Sequence, residues 1–145
     1  MSAVLDASAA IQLVLNGPHA VVVRAAVESE ATILATDLYV AEVANTLWKY
    51  VRAGHLSTEA ALASLADANE LVTRFVRGED LAAEALHEAV RLDHPVYDLL
   101  YLVTARREAA TLVTCDQKLH RLGAAQGVAV AGPWSARRRS SPRSS

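Results

Sequence analysis

Short apolar runs that stop at a carboxylate recur along this chain, and each is followed by a stretch of helical periodicity. Val4 and Leu5 lead to Asp6, Thr32 to Thr36 lead to Asp37, and Thr111 to Cys115 lead to Asp116. Runs with no charged residue inside them are what strands buried on both faces of a parallel sheet require. Thr73 to Val76 alternates as an edge strand does, and Val128 to Val130 makes a last short strand. Between them the spacing predicts helices over 9–15, 20–30, 40–53, 58–71, 80–92 and 118–126, with a further one starting at Val96 or Tyr97 after the break at His94-Pro95. Strands alternating with helices imply a three-layer α/β/α sandwich around a mainly parallel sheet.

Composition narrows this further. At 145 residues, 52% of them hydrophobic, the chain is one ordinary domain with enough apolar surface for a real core. No apolar run is long enough to span a bilayer, and no basic-then-apolar leader opens the sequence. A single cysteine, Cys115, offers no disulfide framework, which suits a reducing cytoplasmic setting and a small core residue. The net charge of −2 conceals an asymmetry. Residues 137–145 hold four of the 14 basic residues and none of the 16 acids, so the remainder carries −6. We read residues 1–132 as the folded domain and 133–145 as a basic, disordered tail with at most a weak affinity for nucleic acid.

The acids are the candidate chemistry. In a parallel sheet every carboxyl end lies on one edge, so Asp6 and Asp116, each closing a strand, face the same crevice. Glu42 shares a helix face with Asn45 and Lys49, at i, i+3 and i+7, just after the strand that ends at Thr36. Asp98 is the one charged residue between Val96 and Ala105, a segment apolar on every side and therefore buried. A helix cap explains Asp6, Asp98 or Asp116 equally well on local grounds. If the four meet, each pair repels by about 4 kcal/mol at 4 Å and an effective dielectric of 20, and a hard cation, Mg²⁺ or Mn²⁺, is required. The five histidines show no metal-ligand spacing, which leaves them to the surface or to capping.

These residues resemble the PIN domain, and within it the VapC-type toxins of toxin–antitoxin pairs. The likeness rests on Asp6 with Ser8, Glu42 with Asn45, the segment Pro95-Val96-Tyr97-Asp98-Leu99-Leu100-Tyr101, and Thr114-Cys115-Asp116, in that order, and covers residues 1 to about 132. It implies a Mg²⁺- or Mn²⁺-dependent ribonuclease, usually dimeric and inhibited by a VapB-type antitoxin. By position, Asp6, Glu42, Asp98 and Asp116 become the acidic quartet, with Asp6, Asp98 and Asp116 as metal ligands and Ser8, Asn45 and Thr114 in support. Gln117-Lys118 stands where many relatives have a further acid, which weakens the case for a second metal. Two other readings stay open. One is a receiver-like signalling domain, against which stand the lone Asp6 and the missing late lysine after a strand. The other is a PIN-like scaffold without catalysis that only binds partners.

Overall fold

Five strands form one all-parallel sheet in the order β3-β2-β1-β4-β5 in a computed structural model that describes residues 1–135. Of the tail expected over 133–145, residues 136–145 lie outside the described residues, while Trp134 is tied to the body by its Nε1–H bond to the Cys115 carbonyl. The first strand, β1 (Ser2–Leu5), is central and pairs with both β2 (Thr32–Thr36) and β4 (Thr111–Val113), so Val4 stands opposite Leu34 on one side and Leu112 on the other. Outside these lie β3 (Arg74–Val76) and β5 (Val130–Ala131). The uninterrupted apolar runs are explained by burial on both faces. Ala3, Leu5, Ile33, Ala35 and Val113 point into one helical layer, and Val4, Leu34 and Leu112 into the other.

The first layer holds α1 (Ala7–Val14), α2 (Ala20–Glu28), α3 (Leu38–Arg52) and α4 (Thr58–Glu70), packed through Ile11, Val23, Tyr39, Val43, Leu47 and Ala68. In the second, α6 (Val96–Arg107) lies on the sheet through Tyr101 and Ala105, while α5 (Gly78–Leu92) covers its Leu99, Leu102 and Val103. The all-round apolar character of α6 is therefore the signature of a helix sandwiched between sheet and helix. The last helix, α7 (Gln117–Ala125), adds Leu119 to the sheet side of this layer. Among the described residues no helix is long and apolar enough to cross a membrane.

Three strand limits differ from the sequence reading, the smallest difference being at β3, which starts at Arg74 rather than Thr73. β4 ends at Val113 rather than Cys115: Thr114 N–H still reaches the Ala131 carbonyl at 3.1 Å, but Cys115 N–H goes to Ser8 Oγ at 2.9 Å and Asp116 N–H to Thr114 Oγ1 at 3.0 Å. β5 occupies Val130–Ala131 rather than 128–130, since Val128 N–H still bonds the Gly123 carbonyl at 3.0 Å and closes the end of α7.

Candidate active site

Asp6 follows β1 at the carboxyl edge of the sheet and is 4% exposed. Its Oδ1 accepts from Ala9 N–H at 2.9 Å, which caps α1, and from Ser8 Oγ–H at 2.7 Å. Its Oδ2 accepts a short hydrogen bond from Thr114 Oγ1, whose residue is fully buried. Ser8 and Thr114 thus both spend their one hydroxyl proton on Asp6, so the 3.4 Å approach of their oxygens is a contact and not a bond. Burial outweighs these donors. Together with the charge of Glu42 it pushes the Asp6 carboxyl from its ordinary 3.8 up to about 6.

Glu42 comes from α3 in one layer, and its Oε1 accepts the hydroxyl proton of Tyr101, from α6 in the other layer, at 2.6 Å. Tyr101 is 2% exposed, so a partner for its hydroxyl is obligatory. Burial raises the Glu42 carboxyl above its usual range in spite of that bond, and the charges of Asp98 and Asp116 add to the rise. No functional role for Tyr101 came from the sequence. The available signal was a tyrosine in the apolar middle of the helix, flanked by Leu100 and Leu102, whose oxygen had to find a polar neighbour.

The cap alternative divides between the last two acids. Asp116 does cap α7, its Oδ1 accepting from Lys118 N–H at 2.8 Å and Leu119 N–H at 3.2 Å. Asp98 caps nothing: it sits in the first turn of α6, whose N-cap is Pro95. Its Oδ2 faces His94 Nε2 at 3.6 Å, while the other ring nitrogen of His94 lies 3.1 Å from the Pro95 carbonyl. Burial raises the Asp98 carboxyl and the charge of Asp116 adds to this, with His94 and Lys118 pulling the other way. His94 therefore belongs to the acidic edge, where sequence spacing had left it on the surface. Asp37, the remaining acid that closes a strand, stays out of the group because both its oxygens accept from Gly78 N–H at 3.1 Å.

The four carboxylates thus feel one another through space, Asp6 through Glu42, and Glu42 with both Asp98 and Asp116. Clefts open on either side. One of about 470 Å³ is lined by Ser8, Glu42, Asn45, Lys49, His19 and Cys115 among others, so the α3 stripe of Glu42, Asn45 and Lys49 does face a common space. The other, of about 520 Å³, holds His94, Lys118 and Arg121. The Cys115 thiol, pushed up to about 12 by burial, stays protonated and is no nucleophile.

An all-oxygen donor set whose members raise one another's proton affinity suits a hard divalent cation. As the side chains stand, no three His, Cys, Asp or Glu among the described residues come within reach of one ion. Asp98 is half-buried and caps no helix, and Glu42, also half-buried, keeps Oε2 outside its bond to Tyr101.

The family model for the PIN domain matches residues 3–125. No curated protein matches the chain in sequence. Solved structures of similar fold include the following. The Pyrobaculum aerophilum protein PAE2754 is 24% identical with a TM-score of 0.70, over 90% of this chain and 92% of that one. VapC20 of Mycobacterium tuberculosis, a sarcin-ricin loop cleaving toxin, is 20% identical with a TM-score of 0.64, over 83% and 95%. VapBC2 of Rickettsia felis, bound to a DNA fragment from its promoter, is 18% identical with a TM-score of 0.61, over 90% and 97%.

Proposed function

The chain belongs to the PIN domain family, and from that premise we propose that it is a Mg²⁺- or Mn²⁺-dependent endoribonuclease, the toxin of a VapBC-type pair. What supports this reading is the common sheet edge at which Asp6, Glu42, Asp98 and Asp116 lie, near enough that Glu42 acts on Asp6 and Asp98 and Asp116 act on Glu42. Residues 1–132 form the nuclease domain in this reading, and its setting is the cytoplasm.

Asp6, Asp98 and Asp116 would hold the cation, which when bound lowers the pKa of a water and offsets charge on phosphoryl oxygens. The protein's own groups divide the rest. Ser8, Thr114 and the Ala9 amide fix Asp6 in one rotamer, so the carboxylate is oriented before any substrate arrives. Tyr101 holds Glu42 Oε1, which leaves Oε2 free to accept a proton from the attacking water. That water forms the new P–O bond as the bond to the leaving oxygen breaks, and no covalent enzyme intermediate is needed. Lys49, Lys118 and Arg121, in the flanking clefts, bring the anionic backbone to an otherwise acidic face.

A VapB-type antitoxin fits the same surface. Beside α3 and α4 lies an apolar groove of about 260 Å³ with Trp48 and Leu62 exposed at it, able to take the apolar face of an antitoxin segment whose basic residue reaches the acids. The toxin is a homodimer in this reading. The deciding experiment is cleavage of RNA by antitoxin-free protein with Mg²⁺, with Mn²⁺ and with EDTA. Cutting with either metal and none in EDTA is expected, and cutting that persists in EDTA refutes the mechanism.

A further inference from the structure

We propose that Trp134, with His19 beside it, forms a stacking site for one nucleobase next to the scissile phosphodiester, an inference that rests on the ribonuclease reading above. Trp134 lies after the last strand and is 44% exposed, yet it is not loose. Its indole Nε1–H donates to the Cys115 carbonyl at 2.8 Å, and its ring stands 6.3 Å from that of His19, tilted by 54°. With the one polar atom of the indole engaged on the protein, what remains open to a ligand is the ring face. Both neighbours that hold it, Cys115 and His19, line the cleft that also contains Glu42, Asn45 and Lys49. The platform therefore adjoins the acids.

The chain takes unusual measures to put these two rings there. Gly132 has φ +149, and a Cβ on it would sit 2.1 Å from the Thr114 carbonyl oxygen, so only glycine lets the segment press against β4 and deliver Trp134 to Cys115. On the other side, a Cβ on Gly17 would sit 2.3 Å from Gln12 Oε1, the atom that accepts His19 N–H at 2.9 Å. The Gly132 backbone contact holds the indole, and the Gln12 bond to His19 N–H sets the imidazole's segment, at the rim of one cleft. A half-exposed aromatic face held rigid beside an ammonium and a carboxamide matches a base, with its phosphate on Lys49 and its edge toward Asn45. Seven of the ten residues that line this cleft carry polar side chains, which suits the heteroatoms of a nucleotide.

The test is steady-state cleavage of a short RNA with a mapped cut, alongside a series carrying one abasic nucleotide at each position in turn. On intact RNA, Trp134→Ala should raise KM about tenfold and leave kcat within about twofold, and Trp134→Phe, which keeps a ring face, should restore most of the loss. In the wild type one abasic position should cost about the same tenfold, and that penalty should vanish in Trp134→Ala. An abasic profile identical in the two proteins overturns the inference, as does an unchanged KM, which would leave the indole to a protein contact. If the wild type cuts the RNA and only these effects are missing, this inference alone fails. If it cuts no RNA, the nuclease reading fails and takes this one with it.

Discussion

Replacing Asp6 by Asn asks whether the most buried acid of the group is held against its own charge. In the unfolded chain this carboxyl ionises near 3.8, and in the folded protein near about 6. Between those values the unfolded chain has released a proton that the folded chain keeps, so stability falls as pH rises. The contribution is fully present below 3.8 and gone above about 6, and the gap amounts to about 3 kcal/mol. Asn has the shape of the protonated acid, with an oxygen for Ala9 N–H and Ser8 and an amide toward Thr114, but nothing to ionise. In EDTA, Asp6→Asn should therefore match wild type within about 1 kcal/mol at pH 4 and exceed it by about 3 kcal/mol at pH 7.5, a rise of roughly 6–12 °C in Tm. Urea unfolding at four pH values from 4 to 7.5 measures this directly. A stability difference that stays constant across that range, or a variant weaker throughout, would show that burial does not hold the charge in check. RNA cleavage by the variant should be lost at every pH.

Two further outcomes follow from the same geometry. Tyr101→Phe removes the proton that Oε1 of Glu42 accepts, so unfolding free energy should drop by about 1 kcal/mol while cleavage falls at least tenfold and its acid limb moves to higher pH; kinetics and urea melts of one preparation separate the two effects. Asp98→Asn takes one charge from a mutually repelling group without touching a helix cap, so the metal-free protein should melt slightly higher than wild type, and the wild type's gain of about 1.4 kcal/mol per tenfold rise in saturating Mg²⁺ should shrink; an equal Mg²⁺ response in both proteins would remove Asp98 from the metal site.

The layers of this protein were legible because burial on both faces leaves a plain mark in a strand, and Thr32–Thr36 carries no charge at all. α6 was legible for the same reason, as an all-apolar helix with one acid. Contacts that cross the sheet edge left no such mark. The bond between Glu42 and Tyr101 joins residues 59 apart through opposite layers, and no periodicity within α3 or α6 reports it. Local chemistry also could not say which acids cap. Asp116 and Asp98 each precede or begin a helix, and only the backbone conformation before α6, set by Pro95, decides that Asp98 stays free. His19 and Trp134 were invisible because glycines far from the acids in sequence bring them there.

The strand order has a consequence for the cell that makes this protein. β1 is the first strand synthesised, yet it becomes the middle of the sheet only when β4 pairs with it, across an interval of more than a hundred residues. A ribosome that has delivered the chain as far as α6 has made Asp6, Glu42 and Asp98, but neither Thr114, which pins Asp6, nor Asp116. Such an incomplete product lacks one acid of the proposed site and the hydroxyl that orients another. Thr114 and Asp116 thus join Asp6 only with the closing of the sheet, when synthesis is all but done.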